Sequence, residues 1–434
     1  MARTDARTVP LDSTSRQALA ASGFRYAVVD PADDDAARAY IQAESRGFLG
    51  GEQSDDEVAE FREQLAYRRW VGVYDAGADA GSAPVGTVNS WTGELSVPGE
   101  RTVPFWAISG VTVSPTRRRR GIARAMLQGE LRAGRDAGLA IAGLTVSEAT
   151  IYGRFGFAPA VRTADWVIDT RRAGWAGPDA PGTLDHVDRS EAVALLGALH
   201  DRVRVNRPGE VDGWLGRWRQ FAAVARGSEH PGRTRAVAYT SPQGERTGLL
   251  VYRITEDETD FARHTLDVRA LFADGPDAYA ALWRFVIEHD LVHRVHARLR
   301  SIEEPLPWML RDERGLVSTV RDHGWLRILD VPAALRAREY SAVADVTIEV
   351  ADPQGFATGC WSLQIGDDRR ALIDRTGTSA QVQLSAAALA AGYLGGVRFS
   401  TLRGAGLVRG DSDAIAALDR AFTAPTAPRL GIWY

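Results

Sequence analysis

The sequence predicts a mixed α/β chain of two or three domains that ends in a small α+β domain, and three observations carry that prediction. The 434 residues exceed what one hydrophobic core usually serves. Over residues 24–148 the pattern runs β, two helices, three strands, a long helix and a strand, which is not a regular βα repeat. A strand–turn–helix–strand order then returns at residues 264–300.

Composition narrows the class. Apolar residues make up 45% and charged residues 25%, the balance of an ordinary globular chain. A formal net charge of −4 gives no basic field to gather nucleic acid, so no nucleic-acid partner is expected. Cys360 is the sole cysteine, which excludes an internal disulfide and a cysteine-rich zinc site. No apolar run approaches the roughly 20 residues a membrane span needs. The opening MARTDARTVPLDSTSRQ is polar and lacks the apolar core of a secretory signal. A reducing, cytoplasmic setting is expected.

Taken in order, the first 15 or so residues read as a loose tail. FRYAVVD (24–30) alternates like a strand, and Asp33–Asp35 charge the start of the helix carried by AARAYIQAES. Asp55–Glu57 do the same for DDEVAEFREQLAY (55–67). RRWVGVYDA (68–76), APVGTVNSW (83–91) and FWAISGVTVS (105–114) read as strands. A helix from about Arg119 to Asp136 lines up Ile122, Met126, Gly129 and Ala133 on one side, before the apolar strand GLAIAGLTVSE (138–148). RRAGWAGPDAPGTLDHVD (171–188), rich in Gly and Pro, marks a first boundary. Residues 264–300 have the form of a degenerate second copy, with an acidic FADGPDA turn. A second shift falls near 320–330. DVPAALRAREY then starts a helix with Pro332 in its first turn, and the strands and helix of 345–394 follow. His289, His293 and His296 in HDLVHRVH have helical spacing but no third ligand motif, so they read as surface or packing histidines; Cys360 reads as a buried residue before a strand.

The chemistry concentrates in VTVSPTRRRRGIARAML (111–127), where a strand turns into a helix across four consecutive arginines. Free backbone N–H groups and the positive end of a helix dipole make such a junction a seat for phosphate. Gly121 admits close backbone approach, and arginine forks add charge-assisted contacts.

This stretch resembles the coenzyme A loop of the GNAT acetyltransferases, R/Q-x-x-G-x-G/A, here Arg118-Arg119-Arg120-Gly121-Ile122-Ala123. VTVSP before it and SEATIYGRFGFAPA (147–160) after it fit the same pattern. Together with GWLRILDVPAALRAREY and the terminal domain, nearly the whole chain resembles the Eis (enhanced intracellular survival) family of GNAT N-acetyltransferases. The resemblance implies a catalytic GNAT domain over 24–165, a degenerate GNAT-like domain over 166–320 and a sterol-carrier-like α+β domain over 321–434. It implies acetyl-CoA as co-substrate and no metal. The cofactor contacts it implies are the backbone of Val111, Thr112 and Val113, the loop Arg118 to Arg124 (Arg118, Arg119, Arg120, Gly121, Ile122, Ala123, Arg124), and Ser147 and Glu148. Tyr152 would protonate the departing thiolate, and the terminal carboxylate of Tyr434 would act as base or orient the amine. The apolar ending LGIWY favours a docked terminus. The family also implies a homohexamer.

The acceptor is less defined. Relatives that take polyamines carry an acid just before the C-terminal residue, where this chain has Trp433. Glu44 and Glu52 in AESRGFLGGEQ are carboxylates near the early helices, and Trp433, Trp91 and Trp106 are candidates for cation–π contact with an amine. The expected activity is N-acetyl transfer to small polyamine-like amines, aminoglycosides included. Protein lysine acetylation and a non-enzymatic lipid- or CoA-binding role are the alternatives.

Overall fold

The computed structural model of the chain describes residues 4–79 and 81–434. From the N-terminus come α1 (Ser13–Ala21), β1 (Phe24–Val29), α2 (Asp34–Gly47), α3 (Asp55–Leu65), β2 (Arg69–Asp75), β3 (Gly86–Val97), β4 (Arg101–Val113), α4 (Ile122–Asp136), β5 (Ile141–Thr145), α5 (Ala149–Tyr152) and β6 (Ala158–Asp169). Next are α6 (Thr170–Ala173), β7 (Thr183–Val187), α7 (Arg189–Arg204), α8 (Leu215–Phe221), β8 (Thr234–Thr240), β9 (Arg246–Thr255), β10 (His264–Ala273), α9 (Pro276–Ile287), β11 (Val292–Arg300) and β12 (Leu316–Ile328). The chain ends with α10 (Val331–Arg336), β13 (Ala344–Ala351), β14 (Gly359–Ile365), β15 (Ala371–Arg375), β16 (Val382–Ser385), α11 (Ala386–Gly392), α12 (Phe399–Gly404), β17 (Val408–Gly410) and α13 (Ser412–Phe422).

Two compact units result. One holds Met1–Val161, Gly324–Pro425 and Trp433–Tyr434; the other holds Arg162–His323 and Thr426–Ile432. In the first, the strands run β1-β2-β3-β4-β5-β12, antiparallel except for the β4–β5 pair. In the second they run β7-β8-β9-β10-β11-β6, antiparallel except for β10–β11. The two orders are the same six-strand plan with the single parallel pair at the same place. Each last strand is exchanged: β6 follows β5 in the chain but closes the second sheet, and β12 follows β11 but closes the first. The Gly/Pro-rich stretch 171–188 therefore lies inside the second unit. The first unit also carries the separate C-terminal sheet β15-β14-β13-β16-β17.

Three local expectations are corrected. Of the expected loose tail, residues 1–3 lie outside the described residues and the rest is tied down: Asp12 caps α1 and accepts from Arg132 Nε and Nη2 (2.9 and 2.8 Å), while Ser15 Oγ donates to Ala125 O (2.6 Å). Its polar residues are anchors for α4, a role that polarity alone hides. His293 and His296 sit on strand β11, because the pattern that ends α9 at Ile287 turns the chain before them. Cys360 is partly exposed, its Sγ donating to Thr378 O (3.3 Å) at a strand start.

Helix α4 organises the first unit. Ile122, Met126, Gly129 and Ala133 are all buried, as their spacing predicts. Beside them Glu130 is fully buried on the sheet, taking bonds from Ser90 Oγ (2.6 Å) and Trp106 Nε1 (3.3 Å) and pairing with buried Arg69. Arg69 in turn donates to Val9 O (3.1 Å) and Pro10 O (3.3 Å). Removing one partner of such a pair strands a buried charge. Glu130→Ala is therefore expected to destabilise the fold by about 3–5 kcal/mol, measured by denaturant unfolding; a loss under about 1 kcal/mol would refute that reading.

Candidate acetyl-transfer site

The site begins where the β4–β5 ladder opens. The two strands pair only at Trp106↔Ala142 and Ala107↔Gly143, yet β4 continues to Val113 and β5 to Thr145. Just past the last pair β4 also bulges against β3, with Gly110 and Val111 facing the single residue between Thr87 and Asn89. Gly110 has φ +61°, and a Cβ there would lie 2.3 Å from Asn89 Nδ2 and 2.8 Å from Glu44 Oε2. Glycine is required on both counts. The parted strand leaves backbone N–H and C=O groups of residues 108–113 without a β5 partner, an edge that a linear amide chain can join.

At the end of that edge lies the arginine loop. Pro115–Arg117 form a 3₁₀ turn, Arg119 has φ +62°, and Gly121 caps α4 with φ +81°. The helix thus starts at Ile122, three residues later than the sequence predicts, because the left-handed residues at 119 and 121 cannot extend it. The N–H groups of Ile122, Ala123 and Arg124 head the helix, and a Cβ at Gly121 would meet nothing within 4 Å. This is an open cradle with the geometry for a diphosphate.

Not every predicted contact is a side-chain contact. Arg118, Arg119 and Arg124 are exposed and carry no hydrogen bond or ion pair among the described residues. Arg120 instead donates to Ser22 O (3.3 Å) and lies over the Phe24 ring (4.4 Å). Arg117 forks onto Asp75 (3.1 and 3.0 Å), holding that carboxylate below its usual pKa. Ile122 is buried, and Thr112 is buried against Thr87 Oγ1 (2.7 Å), so these two offer backbone only. Val111, Val113 and Ala123 are partly exposed, and Ser147 and Glu148 are exposed beyond the end of β5, Glu148 accepting from Thr150 Oγ1 (3.2 Å).

On α5, Tyr152 is buried edge-on to Phe157 (6.2 Å between rings). Burial, and then the charge of Glu148, push its hydroxyl pKa up, so it keeps its proton. The terminus is docked. Tyr434 is buried, its ring lying edge-on to Trp91 (5.5 Å) and Phe105 (6.1 Å). Thr145 Oγ1, on the last residue of β5, donates to a terminal oxygen of Tyr434 (2.7 Å). Trp433 lies in the same unit, whereas Thr426–Ile432 before it belong to the second unit, where Gly431 N donates to Glu210 Oε2 (3.0 Å) and His323 Nε2 to Ile432 O (2.9 Å).

The aromatic candidates divide. Trp106 is fully buried with its Nε1 on Glu130, so it cannot meet a ligand. Trp91 is buried with the Arg68 guanidinium 3.6 Å above its ring, so its cation–π place is filled by the protein. Trp433 is 43% exposed. Of the acids, Glu52 is exposed, and Glu44 is partly exposed at the bulge. The chain Glu44–Asn89–Arg68–Trp91 was not foreseen: its members are far apart in sequence and meet only when α2 packs on β3 and β4. In the second unit the matching β10–α9 turn carries Asp274, paired with Arg202 (3.2 Å), and no arginine cradle.

The chain resembles known proteins over most of its length. Acetyltransferase (GNAT) domain families match residues 28–160 and 213–328, and a sterol carrier protein domain matches residues 331–431. An uncharacterized N-acetyltransferase of Streptomyces avermitilis is 34% identical over 388 residues, 87% of this chain and 91% of the relative. N-acetyltransferase Eis of Mycobacterium tuberculosis is 36% identical over 358 residues, 80% of this chain and 85% of the relative. The crystal structure of Eis1 from Mycobacterium abscessus superposes with a TM-score of 0.79 at 29% identity, covering 95% of this chain and all of that one. Among the described residues no helix is long and apolar enough to cross a membrane.

Proposed function

Because the chain belongs to the Eis family of GNAT-type N-acetyltransferases, we propose that it moves an acetyl group directly from acetyl-CoA to primary amines of small, polyamine-like molecules, aminoglycosides among the candidates. Acetyl-CoA, the co-substrate the GNAT fold implies, supplies the activated thioester. Arg118, Arg119 and Arg124, with the N–H groups heading α4, hold its phosphates; the free edge of β4 at Val111–Val113 holds the pantetheine amides. Tyr152, protonated and buried, gives its proton to the departing sulfur. The Tyr434 carboxylate accepts the proton shed by the amine nitrogen after attack, directly or through water.

The observation that carries this reading is the terminal carboxylate bonded to Thr145, at the mouth of the opened β4–β5 ladder. Ordering and desolvating that carboxylate cost free energy, and a role in proton transfer would put the docking to use. A lipid-binding role would leave that arrangement and the open arginine cradle unused. The hexameric assembly and cytoplasmic setting that the resemblance implies belong to the same proposal, with light scattering as the check on assembly.

The test is free-thiol release from acetyl-CoA across aminoglycosides, polyamines and a lysine peptide. Turnover of the small amines is expected, and Tyr152→Phe should lower kcat by roughly 10²-fold while acetyl-CoA binding is kept. Acetylation of the peptide alone would move the assignment to protein lysine acetylation. No turnover with acetyl-CoA binding kept would favour a non-enzymatic CoA-binding role, and no turnover with no acetyl-CoA binding would leave the lipid-binding alternative in its place.

A further inference from the structure

Glu44 lies on the last turn of α2, where the helix meets the bulge of β4. Side chains along β3 alternate: Ser90 points to Glu130 under α4, while Asn89 and Trp91 point to the opposite face. Asn89 Nδ2 reaches Glu44 Oε2 (3.4 Å), and Trp91 abuts the Tyr434 ring (5.5 Å). Glu44 and the chain terminus therefore share one face of the sheet. Arg68 links them, its Nη1 donating to Asn89 Oδ1 (3.0 Å) and its guanidinium covering Trp91 (3.6 Å).

Two features set this carboxyl apart from the other acids of the early helices. Asp33 and Glu57 serve helix caps, Asp34 and Asp55 pair with Arg62 and Arg38 at exposed positions, and Asp35, Glu52 and Asp56 are exposed, whereas Glu44 is partly buried, caps nothing, and its Oε1 has no hydrogen bond among the described residues. It is also wedged against backbone that only glycine allows, at the level where β4 has left β5. We infer that Glu44 is the acceptor-side carboxylate: it receives the ammonium group of the incoming amine and takes its first proton. In that step an N–H bond of the ammonium breaks and an O–H bond forms on Glu44. The freed lone pair stays on nitrogen for attack, and Glu44, a residue of intermediate burial, later returns the proton to solvent. This inference rests on the acetyltransferase reading.

Burial pushes the Glu44 pKa up to about 7, against the opposing pull of Arg68 and of the Asn89 amide. The groups facing it are Arg68 after α3, Asn89 from β3 and the Tyr40 hydroxyl from α2 itself; β4 approaches it with the Gly110 backbone. A carboxylate with that pKa is charged enough above neutrality to bind an ammonium and basic enough to relieve it of a proton.

The experiment compares wild type, Glu44→Gln and Glu44→Asp in kcat/KM against pH, in acetyl-CoA affinity, and in spermidine affinity by calorimetry without acetyl-CoA. Glu44→Gln should keep acetyl-CoA affinity, lower kcat/KM roughly 10²-fold, lose the acidic limb near pH 7 and weaken spermidine binding about tenfold or more. Glu44→Asp should keep the limb at reduced rate. Folding has its own check. A raised carboxyl pKa gives stability that is present at acid pH and lost as pH rises through about 7, so the Gln variant should melt higher than wild type at pH 8. An unchanged pH profile and spermidine affinity in Glu44→Gln would overturn the inference. A wild type that acetylates no amine would fell the acetyltransferase reading instead, and spermidine affinity would still decide Glu44: weakened in Gln it supports the inference, equal it refutes it.

Discussion

A chain lengthened by one alanine after Tyr434 is expected to fold and bind acetyl-CoA but to lose roughly 10²–10³-fold in kcat/KM. The reason lies in how the terminus is held. The Tyr434 ring sits between Trp91 and Phe105, and its hydroxyl lies so near Gly143 that a Cβ there would be 3.1 Å away. That seat fixes residue 434, so an added residue extends beyond it and cannot take its place. Thr145 would then face an uncharged peptide carbonyl, and the carboxylate would move on by about one residue, 3.8 Å between Cα atoms. Thr145→Val separates charge from anchorage: the carboxylate survives without its bond, and a loss of only about tenfold is expected, the worth of one charge-assisted hydrogen bond. Steady-state kinetics with wild-type acetyl-CoA affinity as control decides the matter. Unaltered kcat/KM in the extended chain would show that the docked end is merely a structural anchor.

How far the sequence revealed this site depends on how local each part is. The arginine loop was legible because strand, turn, glycine and helix follow one another within 17 residues, 111–127. Its detail was not, since Arg119 is left-handed and Arg120 turns away onto Ser22 and Phe24, a contact that needs the α1–β1 turn packed nearby. The repeated strand–turn–helix–strand of 264–300 was legible for the same local reason, whereas the exchange of β6 and β12 was not, because pairing partners lie more than 100 residues apart. Trp106 shows how composition misleads: an aromatic beside a predicted pocket became the partner of a buried glutamate. Glu44 was visible as an acid among several, and only the packing of α2 against Asn89 and Gly110 singled it out.

Replacing Arg119 with glycine should raise the KM for acetyl-CoA about tenfold while leaving the loop's path intact. Arg119 holds φ +62°, a conformation that costs a side-chain-bearing residue about 1 kcal/mol and glycine almost nothing. If the loop's shape were all that bound the diphosphate, the glycine variant would bind as well or better. If the guanidinium binds it, relief of backbone strain cannot compensate for a lost charge-assisted contact of about 1.5 kcal/mol or more. Because Arg118, Arg119 and Arg124 are exposed and unpaired among the described residues, their contributions should be nearly independent and strongly screened. The triple change to alanine is then expected to raise KM by roughly 10²–10³-fold, with a gap that narrows as salt rises from 0.05 to about 0.5 M. Arg117→Ala serves as the contrast: its fork is spent on Asp75, so the KM for acetyl-CoA should stay near wild type. Equal losses at 117 and 119 would mean that general positive charge, and not the open cradle at the head of α4, is what draws the co-substrate in.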